Sequence, residues 1–174
     1  MMESSNPVID AILKRRSIRR YRRGNVDKSV IKELLIAGMY APSARNQQPW
    51  HFVVTGDRET LGRIMSVHPY ASMLSGAALA ILVCGDETLE LSKGYWSVDC
   101  AAATQNILLA AHALGLGAVW LGVYPRRERQ DAIREIFSLP GHIHPFALVS
   151  VGYPAEEKAV PDRIREDRVH WDQW

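Results

Sequence analysis

The chain has 174 residues, 21 Lys+Arg against 19 Asp+Glu for a formal charge of +2, 47% apolar residues and 23% charged ones. That length suits one domain with a sizeable core, and the composition excludes collagen-like, disordered and disulfide-scaffold proteins. A nearly neutral balance leaves any anion recognition to local charge placement. Cys84 and Cys100 both stand among apolar neighbours, which fits buried thiols in a reducing, cytoplasmic compartment. No apolar run approaches the roughly 18 residues of a membrane span, and Met1 to Pro7 lacks the apolar stretch of a signal peptide, so a soluble, unprocessed chain without a membrane partner is expected.

Asn6 followed by Pro7 reads as a helix cap with proline at the first helical position, and the spacing of Val8, Ile9, Ile12 and Leu13 predicts a helix to about Arg16. Asp27 is placed to cap a second helix, with Val26 and Ile31 as a hydrophobic staple and Pro42 beyond its end. Four short apolar runs, Phe52 to Thr55, Ala78 to Cys84, Ala118 to Tyr124 and Phe146 to Val151, are strand candidates. Helical spacing fills the gaps at Arg58 to Ser66, Tyr95 to Leu114 and Arg126 to Phe137. The second of these is almost apolar all round and rich in alanine, so it belongs in a centre or against a partner subunit, with Gly115 as its C-terminal cap. From Tyr153 the chain turns polar, yet Trp171 and Trp174 close it; aromatic anchors on such a segment predict an arm over another surface, a disordered tail being the alternative. No internal repeat is present.

The densest motif is the basic run from Lys14 to Arg23, which holds Arg15, Arg16, Ser17 and Arg19. Guanidinium forks beside a hydroxyl suit a phosphate ester; a solvated basic face and nucleic-acid backbone binding are the competing readings. Nucleic acid is disfavoured because no basic stripe or reader motif accompanies the run. The polar loop Ala41 to Trp50 offers Ser43, Asn46 and Gln48 as partners for a heterocycle edge, held by Pro42 and Pro49, though an ordinary connecting loop would use the same residues. The glycines from Gly115 to Gly122 follow a helix and precede a strand, the reverse of the dinucleotide fingerprint, while Gly122 at the strand's end would let backbone N–H groups approach a flat ligand. The six histidines lack metal-ligand spacing, and no nucleophile elbow or cysteine triad is present. Chemistry would therefore rest on a bound cofactor, with no protein group as catalytic nucleophile.

Taken in order, Arg15-Arg16-Ser17-Ile18-Arg19, Pro42 to Trp50, Gly115 to Gly122, and Val151-Gly152-Tyr153-Pro154 with the downstream Arg163 resemble the FMN-dependent nitroreductase family across nearly the whole chain. The resemblance implies an α+β three-layer sandwich, a mixed but mostly antiparallel sheet flanked by helices, in an intertwined homodimer. Simple strand–helix alternation would instead give a parallel doubly wound sheet. One domain over residues 1–174 is expected, with 153–174 as an arm on the partner subunit. The resemblance further implies that Arg15, Ser17 and Arg163, with Arg16, hold the FMN phosphate and that Arg19 lies beside the N1/C2 edge of the ring. Pro42, Ser43 and Asn46 would reach the ring from the other subunit, Gln48 belongs to the same loop, and the backbone of Leu121 and Gly122 would lie beside N5 and O4, with Trp120 also counted among the cofactor-binding residues. Hydride would pass from NADH or NADPH to flavin N5 and then to a quinone, nitro compound or similar small acceptor in a ping-pong cycle. A non-catalytic FMN-binding or phospho-ligand-binding protein is the alternative. Leu121 stands where longer members often carry Glu, and Ala44 where a second Ser is frequent.

Overall fold

The computed structural model describes residues 6–174; the leader reading of the N-terminus falls mostly outside them. Helix α1 (Pro7–Lys14) starts as predicted, because the Asn6 side-chain oxygen accepts the N–H groups of Val8 at 2.9 Å and Ile9 at 3.3 Å. These are donors that a helix start otherwise leaves bare. It stops short of Arg16, since Arg15 turns to φ −53°, ψ 128°. Helix α2 (Lys28–Met39) begins after Asp27, whose side chain makes no cap hydrogen bond. Helices α3 (Arg58–Val67), α4 (Trp96–Ala113) and α5 (Arg127–Phe137) follow the predicted segments closely.

Strands β1 (Tyr21–Arg22), β2 (Trp50–Thr55), β3 (Leu79–Asp86), β4 (Gly117–Gly122) and β5 (Ile143–Pro154) form one sheet. Its path is β1-β5-β3-β2, with β4 also on β5, and every strand pair is antiparallel. The parallel doubly wound alternative is thereby excluded. A lone parallel bridge joins Ser17 to Ala118. Helices cover both faces, so β3 is buried throughout: Ile81 and Val83 join the cluster with Leu34 of α2 and Ile107 of α4, while Ala80, Leu82 and Cys84 join Leu61 of α3 and Ile133 of α5. A strand buried on both sides shows no polar alternation, which is why its sequence resembles a parallel strand.

Small residues let α2 and α4 approach closely. A Cβ on Gly38 would stand 3.1 Å from the Ile107 side chain, and the Asn106 amide donates to the Ala37 carbonyl at 3.0 Å. Gly115 ends α4 at φ +73°, and the Leu116 N–H returns to the Ala111 carbonyl at 2.8 Å; that is the expected glycine cap. The two thiols are sealed in separate clusters, and burial pushes Cys84 up to about 12 and Cys100 higher still. By contrast, α1 buries no residue and exposes Val8, Ile9 and Ile12, while Trp171 and Trp174 are 84% and 101% exposed. Among the described residues no helix is long and apolar enough to cross a membrane.

Candidate functional site

The arginine segment leaves α1 and runs beside β4, where the Ile18 N–H donates to the Ala118 carbonyl at 3.0 Å. Gly117 permits this approach, since a Cβ there would lie 2.6 Å from Ile18 Cγ2. The root of the C-terminal arm then locks onto the segment. Glu156 Oε1 accepts the N–H groups of Arg19 at 2.6 Å and Arg20 at 3.2 Å, and Lys158 Nζ donates to the Ser17 carbonyl at 2.7 Å. Each nitrogen of the Arg16 guanidinium donates to a carbonyl: Nη2 to Leu13 at 2.6 Å, Nη1 to Arg15 at 2.5 Å and Nε to Ala159 at 3.1 Å. Glu156 and Lys158 were not legible as site residues, because in sequence they belong to a featureless polar stretch.

Arg15 differs from its neighbour. It is half-buried, and among the described residues its guanidinium has no hydrogen bond and no carboxylate. Burial, then the fields of Arg16 and Arg163, hold it below the ordinary arginine range; burial and Arg163 do the same to Arg16. A cavity of about 520 Å³ opens here, lined in part by Lys14, Arg15, Arg16, His112, Glu156 and Lys158. His112, from the last turn of α4, is held down by burial and then chiefly by Arg15. Lys14 is paired with Asp10 at 2.9 Å and Lys158 with Glu156 at 3.3 Å, so among the described residues the lining cation with neither a carboxylate nor a carbonyl is Arg15; such a group, partly removed from water, is unfavourable alone and suits an incoming anion. The side chains of Arg19 and Arg163 are exposed and make no hydrogen bond among the described residues.

At the far end of β4, about 13 Å away at the usual strand rise, Leu121 turns into the core and Trp120 packs edge-on against Phe146 with centroids 5.6 Å apart. Gly122 faces open space, with no atom within 4 Å of the position of a Cβ. Its peptide is nevertheless fixed. The carbonyl accepts His68 Nε2–H at 3.0 Å and Arg129 Nη1–H at 3.0 Å, while the Tyr70 N–H donates to His68 Nδ1 at 3.3 Å and so assigns the proton to Nε2.

Burial, reinforced by Arg129, lowers the His68 pKa despite the hydrogen bond to Gly122. The folded protein therefore keeps a neutral imidazole that the unfolded chain protonates first, so this contribution to stability is complete above about pH 6.5 and lost as the pH falls towards the lower folded value. Thermal denaturation between about pH 7 and 5 should show a falling midpoint, with a shallower fall in His68→Gln, which keeps an amide donor but cannot titrate. Equal slopes in the two proteins would remove His68 as the cause.

The loop Pro42 to Gln48 carries three non-glycine residues in the left-handed region, Arg45 at φ 51°, Asn46 at 56° and Gln48 at 47°. Each costs roughly 1 kcal/mol or more against its relaxed form. Internal bonds tie the loop together: the Gln48 N–H donates to Ser43 Oγ at 3.0 Å, and Gln48 Nε2 to Asn46 Oδ1 at 2.9 Å. Buried Asp99, from the first turn of α4, accepts the Ala44 N–H at 2.9 Å and Gln47 Nε2 at 2.7 Å. Gln47 Oε1 in turn accepts the N–H groups of Leu91 at 2.8 Å and Ser92 at 2.9 Å. Neither Gln47 nor Asp99 stands out as a site residue in the sequence, although Asp99 is the one acid in α4. Among the described residues no hydrogen bond joins this loop to the arginine segment or to Gly122. Within one chain the sequence-predicted residues thus fall into three groups: Arg15 to Arg19 near Arg163, Trp120 to Gly122, and Pro42 to Gln48.

The fold is an α+β sandwich with an arginine cluster and an open glycine at opposite ends of one strand, and its sequence matches the Nitroreductase family over residues 12–82 and 65–153. The chain belongs to that family. It is 48% identical over 171 residues to a protein of Methanothermobacter thermautotrophicus provisionally named NADH dehydrogenase/NAD(P)H nitroreductase, covering 98% of this chain and 90% of that one. The crystal structure of a protein of the same provisional name from Parabacteroides distasonis superposes with a TM-score of 0.94 at 40% identity, over 98% of this chain and 100% of that one. A provisionally named nitroreductase from Desulfovibrio desulfuricans, solved in complex with FMN, gives a TM-score of 0.86 at 33% identity, over 98% and 99% of the two chains.

Proposed function

We propose that the protein is a cytoplasmic, homodimeric FMN-dependent oxidoreductase that takes electrons from NADH or NADPH and delivers them to a quinone, nitro compound or similar small acceptor by ping-pong turnover. The carrying observation is Arg15, a half-buried guanidinium with no carboxylate among the described residues, in the field of Arg16 and Arg163. The donor set fits a phosphate monoester. Arg15, Ser17 and Arg163 would bind its oxygens, with Arg16 adding charge while three of its N–H groups stay on carbonyls. The open face of Gly122 suits a flat ring at the other end of β4, beside the backbone of Trp120 and Leu121.

When bound, FMN supplies a hydride acceptor at N5, the chemistry that the protein itself lacks. Arg19 would set positive charge beside the pyrimidine edge of the ring and favour the uptake of negative charge there. His68 and Arg129 hold the Gly122 peptide in one orientation, so the backbone facing the ring is fixed before the ligand arrives. Pro42, Ser43, Asn46 and Gln48 would complete the site from the partner subunit. The exposed α1 residues Val8, Ile9 and Ile12 and the Trp-bearing arm support the homodimer, since each such side chain gains about 1.5 to 3 kcal/mol on full burial.

A visible spectrum of the purified protein under anaerobic conditions, before and after NADH or NADPH, tests the reading. A flavin spectrum that bleaches and returns with a quinone or nitroaromatic is the expected result. A flavin spectrum that neither nucleotide bleaches would favour an FMN-binding protein without turnover, and colourless protein that takes up no added FMN would defeat both.

A further inference from the structure

We propose that Asp99 is the positioning residue of the Ser43 to Gln48 loop, setting ligand affinity at a surface it does not touch. Both carboxylate oxygens are committed to that loop, Oδ1 to the Ala44 N–H and Oδ2 to the Gln47 amide. Gln47 cannot reverse its amide, because its oxygen already holds the N–H groups of Leu91 and Ser92. The relay therefore has one polarity, with the Gln47 NH2 group facing the carboxylate. Asp99 is 3% exposed and Gln47 8%, so water does not readily replace either partner.

The loop needs such a clamp. Arg45, Asn46 and Gln48 hold positive φ without glycine, and an untethered chain would relax to the ordinary regions. Ser43, Asn46 and Gln48 are bonded to one another, so the segment shifts as a unit when its anchor is lost. The packing of α4 rests on other residues, Cys100, Ala103, Ile107 and Ala111. Loss of the clamp should thus displace the loop and spare the core. A consequence for FMN affinity rests on the cofactor reading above; the conformational claim does not.

The test swaps the pair. Asp99→Asn sets two NH2 groups against each other or forfeits the Ala44 contact, and Gln47→Glu opposes two carboxylates; the double variant D99N/Q47E restores a donor facing an acceptor and the original charge. Two quantities are measured: amide hydrogen exchange at Ala44 and Gln48 without ligand, and FMN affinity by fluorescence quenching. Each single variant should accelerate exchange and weaken FMN binding by about tenfold or more, the scale of a hydrogen bond to a charged group, and the double variant should return both towards wild type. Gln47→Ala, which leaves α4 unaltered, replaces D99N should the latter not fold, with the same loosening expected. Unchanged exchange in the single variants, or no recovery in the double, overturns the proposal. A wild-type protein that binds no FMN would count against the cofactor reading, and the exchange data would still decide the clamp.

Discussion

Arg15→Ala should raise the FMN dissociation constant roughly 10- to 150-fold, the loss of one charge-assisted contact of about 1.5 to 3 kcal/mol, while the unfolding midpoint of the ligand-free protein holds or rises. The two effects have one origin. Arg15 carries a burial cost and the repulsion of Arg16 and Arg163, and no carboxylate among the described residues relieves either. Without an anion its removal therefore relieves strain; with one, its removal forfeits binding. Arg15→Lys should fall between, because an ammonium keeps the charge but not the two-pronged geometry. Flavin fluorescence titration and calorimetry of the ligand-free protein measure the two arms. A variant that keeps wild-type affinity, or one that melts markedly earlier without ligand, would show that Arg15 is a structural arginine like Arg16.

If the arm packs on a partner subunit as proposed, replacing Trp171 and Trp174 together by alanine should weaken the proposed homodimer by about 100-fold or more, as expected when aromatic anchors leave an interface. In the single chain both indoles lie bare beyond a polar segment, at 84% and 101% exposure. FMN retention should fall with the dimer, because Arg163 rides on the same arm and the Pro42 to Gln48 loop is read as the other subunit's contribution. Sedimentation velocity over a range of protein concentrations provides the measurement. An unchanged dimer would place the interface on α1 and α4 alone, and a monomer that still holds FMN would end the shared-site reading.

Much of this architecture was readable from residue order. The caps at Asn6 and Gly115, the five helices and four of the strands follow from local chemistry that operates within a few residues. Strand β1 was invisible because two residues, Tyr21 and Arg22, carry no period, and they pair only because Tyr153 and Pro154 pass beside them. The continuation of β5 through Gly152 to Pro154 was missed for a related reason: glycine and proline usually end strands, whereas here Gly152 makes room for the Tyr21 ring. Strand direction is a property of the whole chain path, so alternation of elements misled and only the family resemblance indicated the antiparallel sheet.

Within the site, residue type was legible and commitment was not. Arg15 and Arg16 are equivalent in sequence, yet one is open and the other is spent on carbonyls that include Ala159, far along the chain. Gln48 rather than Gln47 reads as the ligand-facing residue of the pair, although the structure buries Gln47 as a relay and leaves Gln48 facing solvent. Such distinctions arise from which segment arrives opposite, and no spacing rule encodes that.

The two sealed sulfurs also have a practical consequence. With Cys84 and Cys100 both enclosed and burial opposing their ionisation, a cysteine engineered at an exposed position would be the one sulfur open to maleimide chemistry. A dye or an electrode linker could then be attached at a chosen point without first stripping out native residues.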